Sequence, residues 1–472
     1  MNWSLLAVEL VVCVWILLML AADVCLGAER QTPLWAVALA GIALAGVALA
    51  LLHPAPADQA FQGLFLVDPF ARYFKGLFLL TAGVVIIMTR HFTHRLPSRV
   101  GAFYMLLFTA LLGMLVLASI NDLLMLFLAL ELLTFSLYIM AAYLKTDARS
   151  VEAGMKYLIL GSVSSGFLVY GIALLYGFAG STGFPAIRTA LASGPVPLTA
   201  QAGLLLILAG LGFKIAAVPF HLWVPDVYEG APTPVVALLS VGSKMAGVVA
   251  ILRVLYGVFL PLQGMWASAL ALLSAATMLY GNLGAIPQTN IKRLLGYSSI
   301  GHAGYLLMGL STASPFGMES VGYYLLAYLF GNLTAFFVIA AASDALGGDT
   351  LEGYAGLSKR SGLLAAAMFI ALLSLAGVPP FAGFVGKLLV LLAATEAGQL
   401  WLVAIGAVNV AISLYYYLMV VKRMYLDPPP AASPIRVNAV NKVVLAFLVL
   451  GILAIGIFQE PFLQRILSSV RP

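Results

Sequence analysis

From one end to the other, the chain alternates long apolar runs with short breaks rich in Pro, Gly and charge. The runs lie near residues 4–27, 34–53, 70–89, 101–119, 122–144, 153–178, 201–220, 235–256, 265–285, 292–311, 320–344, 363–397, 401–425 and 441–459. Most are close to the ~20 residues a helix needs to cross the ~30 Å hydrocarbon core of a bilayer. The period-two alternation of a membrane β-barrel is absent. The pattern therefore predicts an all-α polytopic membrane protein with about fourteen transmembrane helices.

Two runs depart from a simple span. The twelfth is too long for one helix and contains Pro379-Pro380, so it reads as two half-helices. The seventh ends at Pro219 and continues into an apolar, Pro-rich stretch from Phe220 to Pro234, so it too reads as discontinuous. Each couples a Pro-Phe break to a lysine, with Lys214 before Pro219-Phe220 and Lys387 after Pro380-Phe381. Interrupted helices at corresponding places are the trace of a transporter built from inverted repeats. The expected organisation is a three-helix segment over 1–100, a first repeat over 101–260, a second over 261–430 and a C-terminal helix over 431–472. The longest polar connections, near 345–362 and 427–440, are loop-sized and leave no room for a soluble domain.

Composition supports this class. Of 472 residues, 63% are hydrophobic and only 9% are charged, against about 25% charged in soluble domains. The net charge of +6 is then a topological signal rather than a nucleic-acid footprint, because Lys and Arg concentrate in cytoplasmic loops. Arg30, then Arg90, Arg95 and Arg99, then Lys145 and Arg149 follow odd-numbered spans. So do Lys292 and Arg293, Lys359 and Arg360, and Lys422, Arg423, Arg436 and Lys442, with Arg188 the clearest exception to the bias. An even number of spans then places both termini on the outer side of the membrane. Met1-Asn2-Trp3-Ser4 lacks a basic n-region, so the first run reads as a retained helix. The only cysteines, Cys13 and Cys25, form no C-x-x-C and no metal-ligand set, which argues against iron–sulfur chemistry. Phosphate-loop, dinucleotide and zinc spacings are absent, so neither cofactor nor metal is expected.

The candidate chemistry lies in charges within the spans. Glu131, Lys214, Lys244 and Lys387 each stand where the sequence otherwise reads as membrane helix. A charge at the bilayer centre costs at least about 2.5–3.5 kcal/mol on insertion scales, so intramembrane charges point to an ion or proton path. Lys214 is the obvious partner for Glu131, and a static pair that fixes helix packing is the competing reading. Lys244 has small neighbours, Gly242, Ser243, Ala246 and Gly247, that admit another helix closely. Snorkelling to the interface is its alternative. Lys156 stands four residues after Glu152, which is also the spacing of an ordinary helix pair. His302 suits proton transfer near neutral pH, or equally a neutral histidine bonded to another helix. Asp226 and Glu229, in the polar stretch from His221 to Pro234, either line an aqueous entrance or tie the loop down, and the structural role is favoured.

That stretch carries a resemblance. Phe213-Lys214-Ile215-Ala216-Ala217-Val218-Pro219-Phe220-His221-Leu222-Trp223 through Pro234, together with Gln288-Thr289-Asn290-Ile291-Lys292-Arg293 through His302, resembles the antiporter-like membrane subunits of respiratory complex I and their relatives in multisubunit cation/proton antiporters. The likeness spans most of the chain. Ser150-Val151-Glu152-Ala153-Gly154-Met155-Lys156-Tyr157, a lysine rather than a glutamate in the broken twelfth span, and the absence of a long lateral-helix extension are most similar to the subunit N branch of the NADH–quinone oxidoreductase family. The resemblance implies a role for each charge. Glu131 matches the family glutamate paired with the lysine at Lys214, Lys156 a bridging lysine, Lys244 the central lysine, and Lys387 the terminal lysine. His302 matches a histidine on the central polar axis. It implies proton translocation driven by redox events in other subunits, with the Glu–Lys pairing changing as protons move toward Lys387. Quinone, flavin and nicotinamide sites would belong to those other subunits. The implied partners are the neighbouring membrane-arm subunits, the bilayer, protons and internal water, and no nucleic acid. The alternatives are a subunit of a multisubunit Na+/H+ antiporter, or a membrane scaffold whose charges only hold helices in register.

Overall fold

A computed structural model describes residues 3–26, 33–52, 58–92, 99–429 and 433–470. Arg30 and Arg95, counted above among the basic loops, lie outside them. The chain forms the all-α polytopic architecture read from its sequence. In chain order the helices are α1 Ala7–Cys25, α2 Leu34–Leu51, α3 Pro69–Phe92, α4 Val100–Ala118, α5 Leu123–Ala141, α6 Ala148–Ala179 and α7 Phe184–Ala192. Then come α8 Leu198–Ile215, α9 Val224–Gly230, α10 Thr233–Leu238, α11 Lys244–Gly257, α12 Gln263–Ala285 and α13 Ile291–Ser311. The last are α14 Pro315–Leu346, α15 Leu357–Arg360, α16 Gly362–Ala376, α17 Ala382–Glu396, α18 Leu400–Leu426, α19 Ala439–Ile457 and α20 Gln459–Val470. Among the described residues, 12 helical stretches are long and apolar enough to cross a membrane. A small antiparallel ribbon, β1 Asp58–Ala60 with β2 Phe65–Val67, precedes α3.

Contacts divide the chain into two compact units. The first comprises Met1–Ala216 and Gly230–Trp266, and the second Ala217–Glu229 and Ala267–Pro472.

In the first unit, α10 and α11 are joined by a π-helical turn, Leu239–Ser243, and the resulting span Thr233–Gly257 is buried throughout its most apolar window. A helix apolar all round belongs at a core, and this one occupies it. α8 packs against α6 and α11, and α5 lies between α4 and α6. Lipid tails are as apolar as leucine, so helices here associate by close backbone approach rather than by a hydrophobic drive. Glycine supplies that approach between α6 and α8. A Cβ at Gly171 would sit 2.7 Å from the Gly203 carbonyl oxygen, and one at Gly210 would sit 2.9 Å from Leu168 Cβ.

In the second unit, α14 is the central helix, with α13, α16, α17, α19 and α20 packed on it. Caps fix where helices begin. Asn290 Oδ1 accepts the Lys292 and Arg293 amides at 2.9 and 3.1 Å and starts α13. Ser314 Oγ accepts the Gly317 amide at 3.0 Å and starts α14. Each satisfies amides that a helix start leaves without an internal partner.

Candidate functional site

The first unit gathers its polar groups where α5, α6 and α8 meet. Asp122 starts α5 by accepting the Leu124 and Met125 amides at 2.7 and 3.1 Å, and its second oxygen accepts the Thr182 hydroxyl at 2.7 Å. That cap sets the register of the whole helix and places Glu131 about 12 Å along it. Glu131 is half-buried, and its Oε1 accepts a short hydrogen bond from Ser165 Oγ on α6. Lys214 stands in the last turn of α8 and is buried. Its Nζ donates to Thr134 Oγ1 at 2.7 Å, so the ammonium is held one turn past Glu131 on the same helix. The direct Glu131–Lys214 contact expected from the sequence is not made. Each member is held by a hydroxyl, Glu131 by Ser165 and Lys214 by Thr134.

Local backbone explains why Lys214 sits there. α8 stops at Ile215 because Ala216 turns left-handed, with φ of 62°, and its amide closes on Gly212 and Phe213 carbonyls. Across from it, Gly247 brings α11 in, since a Cβ at that position would lie 3.1 Å from Lys214 Cβ. Lys244 is buried and is the first residue after the π turn. A π turn carries one extra residue through the helix and rotates the residues beyond it, and such turns occur often at functional sites.

Lys156 is placed differently. It pairs with Glu152 at 2.7 Å, with side chains 43% and 61% exposed, at the start of α6. This is the ordinary i,i+4 arrangement of an accessible helix face.

The second unit holds His302 and Lys387. On α13, His302 Nδ1 lies 2.6 Å from Tyr324 Oη and Nε2 lies 3.2 Å from Tyr417 Oη, and Tyr417 also shares a short hydrogen bond with Ser298. A neutral imidazole donates through one nitrogen and accepts through the other, so the two tyrosines between them satisfy either tautomer. Beside the ring is a cavity of ≈10 Å³, about the room of one water, lined by His302, Tyr324, Tyr328, Ser374 and Gly383 among others.

Lys387 is buried on α17, and its Nζ donates to the Ala376 carbonyl at 2.9 Å and to Ser413 Oγ at 3.3 Å. Ala376 is the last residue of α16. Carbonyls at a helix C-terminus lack an internal partner and carry the negative end of the helix dipole. The interruption between α16 and α17 therefore makes a cation site from backbone alone. Tyr305 adds its ring face 5.0 Å from the ammonium. Ser413 and Tyr417 lie one turn apart on α18, so that helix touches both Lys387 and His302.

Asp226 and Glu229 both bind Arg293, at 2.8 and 3.0 Å, tying α9 to the first turn of α13. Sequence reasoning also missed a buried pair on membrane helices. Lys75 on α3 and Glu9 on α1 lie 2.8 Å apart with side chains 0% and 7% exposed. Both stand only a few residues inside their apolar runs, which is the signal that would have found them. The hydroxyl partners Thr134, Ser165, Tyr324, Ser413 and Tyr417 were missed too, since a hydroxyl inside an apolar run costs little and leaves almost no trace in sequence.

With the fold and the buried charges in view, the chain is a member of a known class of helical membrane subunits. Residues 119–413 match the family described as NADH:quinone oxidoreductase/Mrp antiporter, transmembrane. Within that class the chain belongs to the NADH-quinone oxidoreductase subunit N family. It is 42% identical to NADH-quinone oxidoreductase subunit N of Moorella thermoacetica over 99% of this chain and 98% of that one. It also superposes on a chain of respiratory complex I from Thermus thermophilus with a TM-score of 0.83, at 33% identity, covering 98% of this chain and 100% of that one. A chain of the Mrp complex from a Dietzia species has the same fold, with a TM-score of 0.88 at 22% identity, covering 100% and 97%.

Proposed function

We propose that the chain is the proton-translocating membrane-arm subunit of an NADH–quinone oxidoreductase, working beside other membrane-arm subunits that hold the redox chemistry. Redox chemistry is assigned to those subunits, and this chain acts as part of the translocase. Glu131, Lys214 and Lys244 form a relay in the first unit, and His302 and Lys387 one in the second, the two acting in series toward Lys387. Lys156 is assigned the bridging role by the family pattern, with Glu152 as its partner when it is not engaged. The chain is proposed to cross a bacterial inner membrane about fourteen times, with α8 and the α16–α17 pair as the interrupted spans and both termini in the periplasm. The repeats are proposed to be those spanning 101–260 and 261–430.

The observation that carries this reading is how the buried ammonium groups are held. Lys214 hydrogen-bonds a threonine hydroxyl, and Lys387 a main-chain carbonyl and a serine. A lysine locked to a carboxylate is a static strut. An ammonium cradled by neutral dipoles keeps its surroundings hydrogen-bonded whether or not it carries the proton, which is what a relay requires. The Na+/H+ antiporter reading has weaker support. The Dietzia Mrp chain shares the fold at 22% identity, whereas the subunit N relative is 42% identical over nearly the whole length.

Replacing Glu131 or Lys244 by alanine in the assembled complex tests the assignment. Each variant is expected to assemble, lose NADH-driven proton translocation and slow coupled quinone reduction. Normal pumping by both would refute the assigned roles.

A further inference from the structure

On α5, Glu131, Thr134 and Tyr138 follow at spacings of three and four and share one face. Gly161 and Ser165, four residues apart on α6, face them. Ser165 donates to the Glu131 carboxylate, and Thr134 accepts from the Lys214 ammonium at 2.7 Å. Thr134 is buried, and its own proton goes to the Leu130 carbonyl, so its free lone pair faces Lys214. Tyr138 does not compete for the ammonium. Its hydroxyl is directed at Gly161, where a Cβ would collide with it, and makes no hydrogen bond among the described residues.

We infer that Thr134 and Ser165 are positioning residues that hold the Glu131–Lys214 couple in its separated arrangement. This rests on the proposal above that the two groups change partners during transport. A separated pair between membrane helices leaves one carboxylate and one ammonium without each other, each costly unless another dipole takes the lost partner's place. Ser165 supplies a donor to the acid and Thr134 an acceptor to the base. The couple can then open without exposing either charge to an unsatisfied site. Thr134 lies one turn from Glu131, so Lys214 moves between the two acceptors by rotating about its side-chain bonds, with no shift of α8. The pair thus has two defined positions rather than one.

The test uses the whole complex purified and reconstituted in vesicles, with NADH-driven acidification as the readout. Thr134→Val keeps the β-branched shape and removes the hydroxyl. It is expected to lower the pumping rate by about tenfold, the effect of losing one hydrogen bond to a charged group. Thr134→Ser, which restores the hydroxyl, recovers most of that loss. Ser165→Ala is expected to fall similarly, and it carries the test if Thr134→Val does not assemble. A determined structure of the Thr134→Val complex should show Lys214 Nζ in ion-pair contact with Glu131. Wild-type pumping by Thr134→Val, or equal failure of Thr134→Val and Thr134→Ser, overturns the inference. Glu131→Gln distinguishes the transport role of the pair from the holding role of the hydroxyls. If it pumps normally, the transport role of the pair fails. If it is defective while Thr134→Val and Ser165→Ala pump normally, only the hydroxyl role fails.

Discussion

Lys387 illustrates how a single residue is prepared by its surroundings. Gly377, the left-handed cap of α16 with φ of 87°, passes so close that a Cβ there would lie 2.8 Å from Lys387 Cδ. The same turn leaves the Ala376 carbonyl free to receive the ammonium. Gly377→Ala imposes both the left-handed strain and the collision, together about 1–3 kcal/mol. It should lower the thermal transition of the purified complex and reduce pumping, and an unchanged transition would contradict this account of the cap. At this scale the sequence was legible where a charge stands well inside an apolar run, while Glu9 and Lys75, a few residues inside theirs, passed unread. Lys214, Lys244 and Lys387 stand out for that reason, and all three prove buried. Lys156 stood out less, and it sits half-exposed beside Glu152. What each charge touches was not legible, because its partners are hydroxyls and main-chain carbonyls that any apolar helix can carry.

Elements turn those residues into sites by stopping in particular places. The proline breaks at Pro219 and Pro379-Pro380 were readable, since proline removes an amide and clashes with the preceding turn. α8 ends at Ile215, and α16 and α17 are separated between Ala376 and Ala382. The π turn before Lys244 was not readable, since Leu239-Ser240-Val241-Gly242-Ser243 continues an unbroken helical pattern. The Glu9–Lys75 pair joins α1 to α3. Removing one member of a buried pair costs about 3–5 kcal/mol, whereas replacing both by apolar residues of similar size is often close to neutral. Glu9→Ala should therefore destabilise the complex strongly in detergent. The double change Glu9→Leu with Lys75→Met should recover much of that loss. If single and double variants melt alike, the pair does not act as a strut.

For the whole molecule, the all-α class and the family were legible from hydrophobic runs and a few motifs, because membrane thickness and backbone hydrogen bonding leave few alternatives. The division into units was less so. Residues Ala217–Glu229 group with the second unit although the chain on both sides groups with the first. Within the second unit Asp226 and Glu229 are tied to Arg293, a long-range contact that no local pattern announces. Each unit contains buried lysine held by neutral groups, Lys214 in the first and Lys387 in the second. These lysines are proposed to carry protons rather than merely fasten helices. The most direct measurement is NADH-driven proton uptake by vesicles containing the complex with Lys214, Lys244 and Lys387 all changed to methionine, which keeps most of the side-chain length and removes the charge. An assembled complex with collapsed proton translocation and slowed quinone reduction is expected, and wild-type translocation by that triple variant would contradict proton carriage by these lysines.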